Sequence, residues 1–125
     1  MSTPIEHYKR GLSFFGQKKN AEAIAEFHSA LALKPDWLEV LHALATAQSN
    51  SGQHDEALLT ITRVIALDPD DPFAYTSQSI FLQRQGKIPE AEAAQAKARM
   101  ASWKQDLKKN PNAPPPDTGP MKVVQ

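Results

Sequence analysis

The stretch AEAIAEF at residues 21–27 returns in altered form 34 residues later as DEALLTI at residues 55–61, and again as PEAEAAQ at residues 89–95. The three copies align on Ala23, Ala57 and Ala91, and a glutamate precedes each of these alanines. A period of this length indicates an array of similar units, each too small to bury its apolar face without a neighbour.

Other positions repeat in register with these alanines. A small residue stands twelve residues before each alanine, and a residue of modest size stands seven residues after it. These spacings are multiples of a helical turn, so they predict two antiparallel helices in each unit. Pro35 and Pro69 cannot continue a helix and are predicted to end the first and second units. The repeating small and modest residues are Gly11, Ala45 and Ser79, followed by Ala30, Val64 and Ala98.

The breaks between the helices carry turn and cap residues. Gly52 and Gly86 share a column at the end of the first helix of their units, where a left-handed backbone is needed. Lys18 occupies the same column in the first unit. Polar residues that favour the N-cap position precede the expected helices. The predicted N-caps are Thr3, Asn20, Asp36 and Asp71.

On these residues the chain resembles the tetratricopeptide repeat (TPR) family, with three repeats at about residues 4–37, 38–71 and 72–105. The resemblance is strongest over residues 21–35 and 52–69. It implies an all-α fold, a right-handed α-solenoid of three helix-turn-helix units. The first repeat departs from the family pattern, because His7 stands at a position that is usually aromatic and Arg10 at one that is usually leucine.

The third repeat is predicted to close the array. Gln95 and Arg99 replace the apolar residues found in the earlier repeats, as expected for a polar outer face. The last helix is expected to continue through Met100, Trp103 and Leu107 and to act as a C-terminal capping helix, so that the folded domain spans residues 1–109. An alternative is that Trp103 anchors a partner. Residues 110–125 are expected to form a Pro-rich disordered tail, with a short polyproline ligand as the alternative.

The composition excludes several classes of function. The 125 residues carry 14 basic and 14 acidic side chains, so neither nucleic acid nor a membrane surface is an expected partner. No cysteine is present, which excludes disulfides and thiolate chemistry. The N-terminal residues lack the apolar run of a secretory signal, and no apolar stretch is long enough for a membrane span. These features predict a cytoplasmic protein.

In the TPR family the first helices of the repeats line a concave groove that receives a peptide or a helix. The resemblance implies that this groove is apolar at both sides and polar in the middle here. Ile5, Glu39, Ser49 and Gln83 also fall in groove columns. The candidate partner-binding residues are Tyr8, Leu12, Phe15, His42, Thr46, Asn50, Phe73, Thr76, Ile80 and Arg84.

Some TPR domains hold the acidic C-terminal tails of heat-shock chaperones with a clamp of lysines, asparagines and an arginine. The matching positions of this chain carry no side chain that can pair with a carboxylate by charge. The resemblance therefore favours an apolar or mixed peptide segment over an acidic tail. The matching positions are Tyr8, Leu12, Ala43, Phe73 and Ser77.

Signals for chemistry are weak. The four histidines stand singly, without a second ligand three or four residues later in the chain, so no metal site is predicted. No phosphate-binding glycine loop or nucleophile motif occurs. The sequence therefore predicts a protein that is not an enzyme and needs no cofactor.

Two hypotheses for function follow. The first is an adaptor or co-chaperone that binds a segment of another protein in the groove. The second is a structural scaffold that forms a homodimer or larger assembly through the apolar stripe of the first repeat. The partner in the first case is a protein or peptide; in the second it is another copy of the chain.

Overall fold

The computed structural model describes residues 2–116 and contains six α-helices, with no strand in that range. Each repeat contributes two helices joined by a short turn. The chain divides into two compact units between Leu67 and Asp68. The helices are α1 (Pro4–Gly16), α2 (Asn20–Leu33), α3 (Leu38–Asn50), α4 (His54–Leu67), α5 (Pro72–Arg84) and α6 (Ile88–Lys109).

The unit that ends at Leu67 contains α1 to α4. Each helix packs against the next one in sequence, and α1 also touches α3. The repeating Ala23 and Ala57 are fully buried, as are Phe27 and Ile61 one turn further along their helices. The 34-residue period therefore marks the positions where the second helix of each repeat enters the core.

Gly11 shows why a small residue is required on α1. A Cβ atom at this position would lie 2.4 Å from Cε1 of the buried Phe27. The backbone of α1 therefore approaches the phenyl ring of α2 more closely than any larger residue permits.

The unit that begins at Asp68 contains α5 and α6. Alanines form most of its buried face on α6, which lets the two helices approach closely. Ser79 stands in the column of Gly11, and its buried hydroxyl donates a hydrogen bond to the carbonyl oxygen of Ala91 at 2.8 Å. A buried polar group is thus satisfied at the point of closest approach. The buried alanines of α6 are Ala91, Ala94, Ala98 and Ala101.

The predicted turns and caps are confirmed at most positions. Gly52 and Gly86 have φ angles of 83° and 76°, and Lys18 in the same column takes φ 60° in spite of its Cβ. The Thr3 hydroxyl accepts a hydrogen bond from the Glu6 amide at 3.2 Å. The Asp71 carboxylate accepts one from the Phe73 amide at 2.9 Å.

Two cap predictions were wrong. Asn20 is the first residue of α2, and Lys19 holds the N-cap position without a side-chain cap. Trp37, not Asp36, holds the N-cap position of α3. Asp36 instead accepts a hydrogen bond from Nη2 of Arg63 at 3.0 Å. The carboxylate is therefore committed to a guanidinium on α4.

The polar residues at the apolar columns of α1 have a partner on α2. Nδ1 of His7 lies 2.7 Å from Oε2 of Glu26, and Nε of Arg10 donates to the same oxygen at 3.3 Å. The hydrogen bond from His7 lowers the pKa of the Glu26 carboxyl from its ordinary value, and Arg10 adds to this effect against partial burial. Nη2 of Arg10 also lies 3.1 Å from Nδ1, but a nitrogen that donates to Glu26 cannot accept from Arg10. An ion-paired cluster therefore replaces the expected apolar contact.

The last helix extends well beyond the repeat, as predicted from Met100, Trp103 and Leu107. It has 22 residues, against 14 in α2 and α4. Its extension returns to the loop that precedes α5, where Nε2 of Gln105 donates to the carbonyl oxygen of Asp70 at 3.2 Å. Within residues 2–116, no helix combines the length and apolarity required to cross a bilayer.

Candidate functional site

The ten predicted partner-binding residues all lie on the first helices of the repeats. Those on α1 and α3 belong to the unit that ends at Leu67, and those on α5 belong to the unit that begins at Asp68. None of the ten is fully buried. They are Tyr8, Leu12 and Phe15 on α1, His42, Thr46 and Asn50 on α3, and Phe73, Thr76, Ile80 and Arg84 on α5.

On α1 the apolar side chains divide into exposed and packed ones. Ile5 is 55% exposed and Leu12 is 41% exposed. Tyr8, between them, is half-buried, with its ring centroid 4.9 Å from that of Trp37 and 6.2 Å from that of Phe27. Tyr8 therefore contributes mainly to packing of α1 on the following elements. Leu12 and Ile5 are the apolar side chains that α1 leaves for a partner.

On α3 the polar side chains are largely engaged within the protein. The Thr46 hydroxyl donates to the His42 carbonyl oxygen at 3.0 Å, one turn earlier in the same helix. His42 and Asn50 also take part in interactions within the chain. Thr46 and His42 are half-buried and Asn50 is exposed. The middle repeat thus presents a polar face with no large apolar side chain.

On α5 the packing and exposed faces are clearly separated. Tyr75 is half-buried and donates its hydroxyl hydrogen to the Pro69 carbonyl oxygen at 2.7 Å, while Phe81 is buried. Phe73 is 74% exposed and Ile80 is 41% exposed. Because Tyr75 and Phe81 supply the packing side of the helix, Phe73 and Ile80 are left for solvent or a partner. Large exposed apolar side chains grouped on one face mark interaction sites.

The exposed apolar residues of α1 and α5 occupy the same two repeat columns. Ile5 and Phe73 are separated by two 34-residue periods, and so are Leu12 and Ile80. The second repeat has Glu39 and Thr46 at these columns. The apolar–polar–apolar order predicted for the first helices is therefore also the order of their exposed side chains.

The other two members on α5 are polar. The Thr76 hydroxyl donates to the Pro72 carbonyl oxygen at 3.0 Å within its own helix. Arg84, at the exposed end of α5, takes part in an interaction within the chain. These two residues flank the Phe73 and Ile80 side chains without adding apolar surface.

The structure also exposes apolar residues that the sequence analysis missed. Leu59 on α4 is 73% exposed and Leu33 at the end of α2 is 57% exposed. Leu59 borders a cleft of about 370 Å³ between α2, α3 and α4, whose floor contains Leu31, Leu41 and Leu44. One sequence signal could have revealed it, because the equivalent positions of the other repeats are alanines, at residues 25 and 93.

The charged and titratable side chains do not indicate a catalytic or metal-binding site on these faces. Within the described residues, no three His, Cys, Asp or Glu side chains lie close enough together to hold a metal ion. The carboxyl with the clearly lowered pKa is Glu26, whose partners His7 and Arg10 make it part of the α1–α2 packing. Neither Ala43 nor Ser77, at clamp positions on α3 and α5, is fully exposed.

The tetratricopeptide repeat model matches residues 14–77, a range that covers just over half of the chain. The chain belongs to the tetratricopeptide repeat family. The predicted family and the all-α TPR fold are therefore confirmed.

Curated relatives share this TPR sequence over part of their length. DnaJ homolog subfamily C member 3 of Mus musculus is 31% identical over 107 residues, which cover 86% of this chain and 20% of the mouse protein. Tetratricopeptide repeat protein 13 of Homo sapiens is 33% identical over 75 residues, which cover 56% of this chain and 9% of the human protein. The chain thus spans at most about a fifth of the length of these relatives.

Solved TPR structures share the fold at lower sequence identity. The crystal structure of MamA has a TM-score of 0.78 at 23% identity and covers 83% of this chain and 61% of that chain. A second match is the Yersinia enterocolitica type III secretion chaperone SycD in complex with a peptide of the translocator YopD. Its TM-score is 0.74 at 19% identity, and the match covers 83% of this chain and 80% of SycD. The Sgt2 TPR domain from Aspergillus fumigatus has a TM-score of 0.67 at 19% identity, with coverages of 96% and 90%.

Proposed function

We propose that this TPR protein is an adaptor or co-chaperone that binds an apolar or mixed peptide segment through the first helices of its repeats. The observation that carries the proposal is the recurrence of exposed apolar side chains in the same columns of α1 and α5. Ile5 and Leu12 are matched by Phe73 and Ile80, and all four are at least 41% exposed.

General physical arguments support this assignment. Burying a side chain such as Leu or Phe on binding contributes about 1.5–3 kcal/mol when its removal from water is complete. Leu12 and Ile80 are already more than half buried, so the four side chains contribute only part of this maximum. After the entropy cost of association, we expect a modest affinity for a short segment. Along the chain the polar α3 comes between α1 and α5, and this order favours a partner whose apolar residues are interrupted by polar ones. The SycD structure, which has the same fold, contains a bound peptide.

The polar side chains of the proposed site are expected to contribute less to affinity than the apolar ones. The polar candidates His42, Asn50 and Arg84 carry side chains that can hydrogen-bond to the backbone of a partner. Because each already takes part in interactions within the chain, a partner would have to share or replace these. We therefore assign the main contribution to Leu12, Phe73 and Ile80, with Ile5 as a fourth contact.

The proposal excludes an acidic chaperone tail as the partner. The clamp positions Tyr8, Leu12 and Phe73 are aromatic or aliphatic, and Tyr8 is also engaged with Trp37. Catalysis and cofactor binding form no part of the proposed role. The proposed cytoplasmic location is tested by fractionating cells that express the tagged chain.

A pair of double variants tests the proposal. Peptides that bind the wild-type chain are first selected from a display library of random sequences. They are then titrated by calorimetry against L12E/F73E and against L33E/L59E, which places two glutamates on α2 and α4 instead. The exposed fractions of Phe73 and Leu59 are 74% and 73%, so the controls match in accessibility. We expect the L12E/F73E change to weaken binding at least about tenfold.

A scaffold that self-associates through the first repeat is the second candidate. The observation in its favour is that Ile5 and Leu12 are exposed two turns apart on α1. The unusual residues His7 and Arg10 do not support it, because both are paired with Glu26 within the same unit. Light scattering of the wild type and L12E at high micromolar concentration separates the candidates. A wild-type dimer that L12E converts to a monomer supports the scaffold, and a wild-type monomer excludes it.

A further inference from the structure

The segment that follows α6 turns back along that helix. The helix ends at Asn110, where the Ala113 amide donates to the Asn110 carbonyl oxygen at 3.0 Å and the Asn112 amide donates to the Asn110 side-chain oxygen at 3.1 Å. Both bonds close a tight turn. Pro114 and Pro116 then line a cleft together with Arg99 and Trp103 of α6. Residues 113–116 therefore run beside the helix that precedes them.

Trp103 holds this segment through its backbone. The indole Nε1–H donates to the carbonyl oxygen of Ala113 at 3.0 Å, and the Trp103 ring is half-buried. Prolines lack an amide hydrogen, so the carbonyl oxygens are the backbone groups through which a proline-rich segment can be hydrogen-bonded. An aromatic ring with a hydrogen-bond donor is the combination by which proteins recognise extended proline-rich segments.

The cleft beside this segment is not filled by it. About 320 Å³ remain open, and the lining residues come from α5, α6 and the segment itself. Nε of Arg99 is buried there and has no hydrogen-bond acceptor among residues 2–116. A buried donor without an acceptor is costly, so a rotation of the Arg99 side chain that brings this donor to a carbonyl oxygen of a bound segment would be favourable. The lining includes Thr76, Gln95, Arg99, Trp103, Pro114 and Pro116, together with the carboxylate of Asp106.

We propose that the α6 surface around Trp103 and Arg99 is a docking site for an extended proline-rich segment. Residues 113–116 occupy the part beside Trp103 within the chain, and the cleft of about 320 Å³ is the part that they leave open. Residues 113–116 indicate which groups fit this surface. They present a backbone carbonyl that accepts a hydrogen bond from Trp103, followed by prolines that line the cleft. Arg99 adds a donor for a further carbonyl beside the prolines, and the Asp106 carboxylate in the same lining disfavours an acidic residue there. The site adjoins the proposed α5 face, because Thr76 lines it, but neither Phe73 nor Ile80 does.

The intramolecular occupant regulates access by a partner. A segment tethered by a short turn competes at an effective concentration in the millimolar range. A partner segment therefore binds weakly until residues 113–116 are displaced. Changes that release this segment without altering α6 are expected to strengthen binding of an added proline-rich peptide.

The experiment uses the full chain and the indole N–H resonance of Trp103 in two-dimensional NMR spectra. The W103F variant identifies that resonance against the one of Trp37. Two tail variants are compared, P114G/P116G and the matched control P115G, since Pro115 is exposed and does not line the cleft. Each protein is then titrated with a synthetic peptide of sequence NAPPP, which copies residues 112–116.

We expect P114G/P116G to shift the Trp103 resonance and to bind the peptide about fivefold or more tightly than the wild type and P115G do. L12E/F73E is expected to bind it as the wild type does, so that this result is independent of the α1 and α5 faces. The proposal is overturned if the peptide does not move the Trp103 resonance of P114G/P116G, or if both tail variants bind it equally. It is also overturned if W103F in the P114G/P116G background, with helicity unchanged by circular dichroism, binds the peptide in calorimetry as tightly as P114G/P116G does.

Discussion

His7 and Glu26 form a short contact across the interface of α1 and α2, with 2.7 Å between Nδ1 and Oε2. His7 stands where the TPR family usually has an aromatic residue, and Arg10, which also reaches Glu26, stands where it usually has leucine. The first repeat thus joins its helices by a charged cluster in place of part of the apolar packing. Because all three groups belong to one unit, this cluster affects the stability of that unit.

The lowered pKa of Glu26 predicts how this stability depends on pH. A carboxyl whose pKa is lower in the folded state stabilises the protein above its unfolded-state pKa, and this stabilisation is lost as the pH falls through the folded-state pKa. We expect E26Q to lower the free energy of unfolding by about 0.5–1 kcal/mol near neutral pH, since the pair is partly exposed.

Urea unfolding at neutral and acidic pH measures this effect. The difference between the wild type and E26Q should shrink in acid, where Glu26 is protonated. E92Q, which changes an exposed glutamate on α6, provides the control. An E26Q effect of the same size at both pH values would show that its charge does not stabilise the fold.

Gly11 is predicted to be intolerant of a side chain. In G11A the new Cβ would lie 2.4 Å from Cε1 of Phe27, which is fully buried and cannot move aside without disturbing the core. Overpacking of this kind costs about 1–3 kcal/mol. Thermal unfolding of G11A and G16A tests the prediction, because a Cβ at Gly16 would have no neighbour within 4 Å. Equal melting temperatures for the two variants would contradict it.

A glycine at position 18, the turn position that corresponds to Gly52 and Gly86 in the other repeats, is expected to stabilise the protein. Lys18 has φ 60°, where a residue with a Cβ is strained by about 1–2 kcal/mol, whereas Gly52 in the same column has φ 83°. K18G is therefore expected to raise the melting temperature, and G52A is expected to lower it. Both variants change one residue of an exposed turn, so each serves as the control for the other. A K18G protein less stable than the wild type would refute the strain argument.

A peptide with clustered C-terminal carboxylates is predicted not to bind the proposed groove. The clamp positions Leu12 and Phe73 provide no cation, and Ala43 and Ser77 are half-buried. Calorimetric titration should show no saturable heat with such a peptide. Saturable binding that L12E/F73E abolishes would contradict the proposed apolar specificity.

Much of the fold follows from local sequence patterns. The 34-residue period locates all six helices, and Thr3 and Asp71 cap their helices as predicted because a cap depends on residues two or three positions away. Gly52 and Gly86 have the expected left-handed backbone for the same reason, since a short turn imposes it.

Contacts between distant residues account for what the sequence did not predict. Asp36 is a residue type that often caps helices, but its carboxylate instead accepts a hydrogen bond from Arg63, 27 residues later. Tyr8 resembles a groove residue on a helical wheel, yet Trp37 lies against its ring. The exposure of Leu59 depends likewise on how α2, α3 and α4 leave a cleft open. Such contacts depend on tertiary packing, so the apolar pattern of one helix does not predict them.

Photocross-linking tests the central claim most directly. A photoreactive phenylalanine analogue is placed at position 73 or at position 59 of the full chain, two positions of nearly equal exposure on α5 and α4. Each protein is irradiated with the peptides selected on the wild type, and the products are analysed by mass spectrometry. The proposed function predicts cross-links from position 73 that L12E suppresses, with few from position 59. Cross-links that form equally from both positions, or mainly from position 59, would contradict it.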